Sequence, residues 1–144
     1  MSDDIFRVSE GTPMTPDLLA KHIQKHKQLV QERFKPLIDA YKNDYKILHQ
    51  SKKADYKPVN FAKYIVDTMN GFFLGIPIKV SHNDEVIAAT LEYLDQYNDQ
   101  DDGNAELSKI CSIYGRGYEM YFEDECSKIG ITHLDPKQDF MIYD

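Results

Sequence analysis

At 144 residues the chain is long enough to close one hydrophobic core, and its 42% hydrophobic and 12% aromatic content excludes a disordered polymer. Seventeen basic against 24 acidic residues leave a net charge of −7, the wrong sign for a dedicated nucleic-acid-binding domain, which carries a basic excess. No apolar run approaches the roughly 18 residues of a membrane span, and the opening MSDDIFRVSEG lacks the basic-then-apolar order of a secretory signal. Residence in a cytoplasm is therefore expected. The charge is uneven. Residues 1–80 hold 13 basic and 9 acidic side chains, residues 81–106 hold 8 acidic and none basic, and residues 107–144 hold 4 basic and 7 acidic. Opposite-signed segments suit packing against copies of the same chain or a charged partner, although each is equally accounted for as a solvated face. Cys111 and Cys126 lie outside any CxxC pattern and are expected as reduced thiols.

In chain order, residues 1–14 read as a flexible arm, and 15–144 as one domain. Thr15 before Pro16, with Asp17 following, is a helix start: a capping hydroxyl, a pre-set φ and a negative charge at the positive end of the dipole. The helix runs to about Tyr41 with Leu19, Ile23, Leu29 and Val30 as its apolar stripe, and a kink or break is expected just before Pro36. Residues 41–58 have loop composition. From 59 to 73 apolar Ala62, Ile65, Val66, Met69, Phe72 and Phe73 oppose polar Asn60, Lys63, Asp67 and Asn70, which predicts an amphipathic helix with a buried face. Gly75-Ile76-Pro77 breaks it, and a short strand is expected over Ile78–Val80.

Ser81 to Asp84 resembles a capping box opening a helix that carries Ile87, Leu91 and Leu94 inward to about Tyr97. NDQDDGN is expected as a turn. A helix over about 103–114 then presents Leu107, Ile110, Cys111 and Tyr114, and Gly115 ends it. From Tyr118 the period becomes two. Tyr118 to Glu123 and Lys128 to Leu134, with a turn at Asp124–Ser127, predict a β-hairpin. Asp135-Pro136 is a second turn, and a third strand starts at Phe140–Tyr143. The fold class is α+β: several helices packed with a small antiparallel sheet from the C-terminal third.

The motifs that carry chemistry fail on their details. His22 and His26 share a helix face, but Ile23 stands where a zincin needs Glu, so both are expected as surface polar residues. With Gly103 at the sixth position of a calcium loop, Lys109 falls on the twelfth, where a bidentate Glu is required. P-loop, GxSxG and zinc-deaminase patterns are missing. Cys111 lies on an apolar helical face, unlike an activated thiolate. No catalytic residue, metal site or cofactor is assigned. Five lysines and two aspartates in 41–58, with tyrosines between, could grip a phosphate backbone through Lys46, Lys52 and Lys53; a solvated lysine-rich loop is the commoner origin of such text. Arg116, in the Tyr114–Gly117 corner, could face an anion or merely join helix to strand.

Three stretches taken together are more specific: NFAKYIVDTMNGFFLGIPIKVS, LDQYNDQDDGNAELSKICSIYGRGYEMYFEDE and ITHLDPKQDFMIYD. Their order and spacing resemble the N-terminal part of the tailed-phage portal protein family, of the type found in phages of Gram-positive bacteria. The resemblance covers about residues 15–144. It is carried by Ile65-Val66-Asp67, Phe72-Phe73, Gly75-Ile76-Pro77, Asn98-Asp99, Ala105-Glu106-Leu107, Tyr114-Gly115-Arg116, Tyr118-Glu119 and Leu134-Asp135-Pro136. The chain departs from the family where Ile76 replaces a frequent Lys, and in a compressed lead at Lys57-Pro58-Val59-Asn60. Family members run several times this length, so a truncated portal wing is expected.

The resemblance implies a non-enzymatic subunit of a ring at one capsid vertex, through which DNA is packaged and ejected. Its partners would be copies of itself or full-length portal subunits, and capsid protein. Terminase and tail connectors would be met only through regions absent here, with no membrane and no direct DNA binding. The location implied is the virion, and the host cytoplasm during assembly. Asn60–Phe73 would be a buried strut, with Lys63, Asp67 and Asn70 as candidate inter-subunit contacts or an ordinary solvated helix face. Two alternatives stay open: a naturally short portal-like protein that binds portal or capsid and interferes with assembly, and a nucleic-acid-binding module using residues 41–58.

Overall fold

The structure, a computed structural model, describes residues 6–44 and 59–143. A long helical rod comes first. Helix α1 spans Pro16–Leu29, a π-helical turn Val30–Phe34, and helix α2 Lys35–Lys42. Thr15 caps the rod, its Oγ1 accepting from the Leu18 N–H at 3.3 Å. The interruption expected near Pro36 takes the form of the π turn. Pro36 has no N–H for the fourth carbonyl back, and its ring crowds that carbonyl. The chain relieves this by widening to five-residue hydrogen bonds, Lys35 N–H donating to the Val30 carbonyl. Asn43, at φ 60°, ends the rod in the left-handed region.

Helix α3 spans Phe61–Leu74. Its cap, Asn60, accepts from Lys63 N–H at 2.9 Å and donates to the Tyr41 carbonyl at 2.7 Å, which ties the start of α3 to the end of α2. The helix stops before Gly75-Ile76-Pro77, as expected. The strand expected over Ile78–Val80 does not form. A strand needs a neighbouring ladder, and the described residues offer none here, leaving Ile78 and Val80 exposed. Helix α4 spans Glu85–Tyr97 and begins on Asp84, whose Oδ1 accepts from Val86 and Ile87 N–H at 2.9 and 3.2 Å. The carboxylate expected three residues inside the helix is thus itself the cap.

Helix α5 spans Gln100–Tyr114, so most of the acidic stretch expected as a turn is helical. Only Asn98 and Asp99 join α4 to α5, with Asp99 at φ 50°. Asp101 and Asp102 then lie at the positive end of the α5 dipole, where negative charge is favourable. Leu107, Ile110, Cys111 and Tyr114 turn inward as expected, and Gly115 closes the helix at φ 75°.

Strands β2 (Tyr118–Glu123) and β3 (Ile129–Leu134) form the expected antiparallel hairpin, from Tyr118↔Leu134 to Glu123↔Ile129. The final strand, β4 (Ile142–Tyr143), does not extend it. It pairs in parallel with β1 (Phe6–Arg7), and Val8 N–H donates to the Tyr143 carbonyl at 2.8 Å. The stretch read as a flexible arm is therefore docked at Phe6–Val8, because Phe6 fills a gap between α1 and Phe140, while residues 9–14 are exposed. The molecule is α+β, helices with a small antiparallel sheet in the C-terminal part.

The fully buried side chains form two small nests. In one, His26 (6% exposed) stacks on Phe140 at 4.8 Å between ring centroids, Phe6 meets both rings edge-on or tilted, and His26 Nε2 is 2.9 Å from the Pro136 carbonyl. In the other, Phe34 meets Tyr114 edge-on at 5.6 Å. The inward face of α1 is accordingly Leu18, His22, His26, Leu29 and Val30; Leu19 and Ile23, expected inward, remain more than a third exposed. His26 is a core residue, where a surface residue was expected.

Candidate interaction surfaces

Helix α3 packs against α2 and α5, but rotated from the sequence expectation: Ala62 and Val66 of the expected stripe turn inward, and Ile65, Met69, Phe72 and Phe73 do not. Ala62, Val66, Asn70 and Leu74, four residues apart, are its half-buried line. The richer apolar stripe points away from the rest of the described chain: Phe72 is 90% exposed, Phe73 74%, Met69 60% and Ile65 58%. The physical reason lies in Tyr41 and Asn60. Tyr41 offers its hydroxyl to Lys63 and Asp67 and its carbonyl to Asn60, which draws that side of the helix toward α2.

The candidate contact residues fall on that polar side. Tyr41 Oη donates to Asp67 Oδ1 at 2.9 Å, Lys63 Nζ donates to Tyr41 Oη at 3.2 Å, and Lys63 forms an ion pair with Asp67 one helical turn away. The Lys63 ammonium, then the Tyr41 hydroxyl, hold the Asp67 carboxyl below the ordinary carboxylate value; Asp67 first, then Tyr41, raise Lys63. Both side chains keep about half their surface in solvent, so the pair orients α3 on α2 more than it stabilises the fold. Asn70 does not join them. It faces inward, and its Oδ1 is shut from solvent with no hydrogen-bond partner. Lys46, Lys52 and Lys53 lie outside the described residues.

Further apolar side chains are exposed along the chain after α3. Ile76 is 81% exposed, Val80 69% and Val86 76%. The Asp67 carboxylate is turned to Tyr41, so the ionisable groups along the stretch from 68 to 86 are Lys79, His82, Asp84 and Glu85. Sequence periodicity marked the α3 stripe as apolar. It could not say which side the neighbouring helices would take.

The hairpin is held by a device that sequence reading missed. Asn98, between α4 and α5, donates from Nδ2 to the Ile129 carbonyl at 3.0 Å and accepts at Oδ1 from Ile131 N–H at 2.7 Å. Its amide thus occupies the place of a next strand's peptide group on the outer edge of β3. Tyr97, beside it, hydrogen-bonds Asp124 in the hairpin turn, and Lys128 lies over the Tyr97 ring at 4.6 Å. Asp124 pushes the Tyr97 hydroxyl up to about 12; that hydroxyl, then the Lys128 and Cys126 N–H groups, hold Asp124 below its ordinary value. The only sequence signal for this tie was an Asn-Asp pair between two helical patterns.

A cleft of about 240 Å³ lies between the start of α5 and the hairpin, lined by Asp99, Asp102, Glu106, Glu119 and His133 among others. Its acidic groups do not converge: among the described residues no three His, Cys, Asp or Glu side chains could hold a metal ion. Cys111 and Cys126 are free thiols, and burial pushes Cys111 up, away from a reactive thiolate. Arg116 lies over the Phe34 ring at 5.7 Å, covering that nest. No described helix is long and apolar enough to cross a membrane. What the described surface offers is contact area.

No curated protein matches the chain. The family model described as "Phage portal protein, SPP1 Gp6-like" matches residues 20–144, which takes in most of α1 and every later element. That family is structural and non-enzymatic, its members virion components that form an oligomeric ring associated with the capsid. The order of motifs from Ile65-Val66-Asp67 to Leu134-Asp135-Pro136 and the match across them agree: the chain belongs to the SPP1 Gp6-like phage portal protein family.

Proposed function

We propose that the chain forms the wing portion of a portal ring at the capsid vertex, the ring through which DNA enters during packaging and leaves on ejection. The observation that carries this is the family match over residues 20–144. The surface supports it: the prominent features are contact faces, as a subunit held between neighbours requires. Lys63 and Asp67, half exposed at the margin of the α3 face, supply polar contacts at its rim in this reading. The ring would pack against its own copies and against capsid protein, with the packaging ATPase supplying the energy.

The test is co-expression with the capsid protein of the same phage. Shells that incorporate the chain at one vertex, and ring-shaped particles seen by electron microscopy, are the expected result. A chain excluded from shells, with no affinity for capsid protein, would overturn the proposal. Adding the chain to a full-length portal separates the interfering alternative, which requires slowed ring assembly. The nucleic-acid alternative requires salt-sensitive DNA binding that is lost on Lys52→Ala with Lys53→Ala.

A further inference from the structure

The outward face of α3 and the segment after it combine size, composition and isolation. Five side chains make it: Ile65, Met69, Phe72, Phe73 and Ile76, each more than half exposed. At roughly 200 Å² for a fully exposed large side chain they present on the order of 700 Å² of apolar surface. The largest apolar patch on an ordinary monomer is about 300–600 Å², while one side of a standard protein interface buries about 800 Å². Composition points the same way. Two Phe and a Met with few charges between them are what the core of an interface is enriched in, and charged residues are what it lacks.

We infer that this face is an inter-subunit interface, and that its occupant is a second copy of this chain. The inference deepens the ring proposal and rests on the family's oligomeric state for the choice of partner. Charge favours a like partner placed head to tail. Residues 81–106 carry eight acidic and no basic side chains, while residues 1–80 carry 13 basic and 9 acidic. A rotation that brings one copy's acidic segment toward the next copy's basic one is a heterologous contact, the kind that closes rings.

The experiment uses the full chain. A benzophenone amino acid in place of Phe72 is irradiated, and the adducts are mapped by mass spectrometry. Two-copy adducts are expected. Adducts confined to one copy, residues 45–58 included, would overturn the inference. Met69→Glu with Phe72→Glu is compared in parallel by analytical ultracentrifugation, and association at least tenfold weaker is expected. Both residues are mostly exposed in the single chain, so the thermal midpoint of the double variant should hold; that control separates lost association from lost folding. Rings that persist in the double variant would sink this inference and leave the portal proposal intact. A closed dimer through this face would keep the inference and sink the ring. A wild-type chain that stays monomeric and yields no two-copy adduct at any concentration would end the inference.

Discussion

His26 is the residue on which the N- and C-terminal ends of the described chain meet. Its Nε2–H donates one buried hydrogen bond to the Pro136 carbonyl and its ring stacks on Phe140, while Phe6 closes the nest. His26→Ala removes the ring and leaves that carbonyl unpartnered, which costs about 3 kcal/mol by cavity and desolvation together. Urea unfolding measures it; a loss under about 1 kcal/mol would mean the nest is not a structural element. Asn70 predicts the opposite sign. Its Oδ1 is buried without a partner, so Asn70→Leu should raise stability by about 1 kcal/mol in the same assay. A loss of stability on that substitution would show that the amide is satisfied in solution.

Tyr97 and Asp124 make a pH prediction with a definite sign. Tyr97 is raised from an ordinary 10.0 to about 12 by Asp124. Its share of stability is complete below pH 10 and disappears as the pH climbs through about 12. Asp124 is held below an ordinary 3.8 by the Tyr97 hydroxyl and then by backbone N–H groups. Its share is complete above that value and disappears as the pH falls through the lower folded one. The tie between α4 and the hairpin turn is thus intact across the neutral range and lost at both extremes. Ultraviolet titration of the phenolates should include a late Tyr97 component, beside Tyr114 and Tyr121, which burial and Glu119 respectively also raise. Asp124→Asn should bring the Tyr97 component back toward its ordinary 10.0, and an unchanged titration curve would refute the pairing.

At the scale of elements, the joints decide more than the rods. Pro36 dictates a π turn in the middle of the first helix, and the last residue of that turn, Phe34, becomes one of the most buried side chains of the chain. Asn98 does for the hairpin what a third strand would do. A two-stranded hairpin is marginal alone, and here one side-chain amide pairs with two backbone groups of β3 while its Nδ2 also reaches the Leu94 carbonyl at 2.9 Å. Asn98→Ala removes these bonds and should cost about 2 kcal/mol, with hydrogen exchange accelerating at Ile131 first. Uniform acceleration across the molecule would instead mean that the hairpin and helices open together.

On the scale of the whole molecule, the described chain buries few side chains fully and displays many apolar ones. Its two nests pin the helical rod to β1, the C-terminal turn and the end of α5, while the largest apolar surface looks outward. Self-association driven by that face should strengthen in sulfate and resist moderate sodium chloride, because apolar burial is not screened. Association that melts away between low and moderate salt, read by light scattering, would assign the contact to the charged segments instead.

The sequence by itself determined the local features: the Thr15 and Gly115 helix ends, the break ahead of Pro36, the stop at Gly75 and the hairpin of residues 118–134. Each follows from the chemistry of a few adjacent residues, a cap, a missing N–H, a positive φ or a period of two, and so can be read locally. Tertiary structure decided what distant residues do to one another. Burying His26 needed Phe6, Pro136 and Phe140, which are far from it in sequence. Rotating α3 so that Phe72 and Phe73 look outward needed Tyr41 to offer its hydroxyl to Asp67 and its carbonyl to Asn60. Periodicity reports that a helix has two faces, and only the groups packed against it settle which of them meets the rest of the chain.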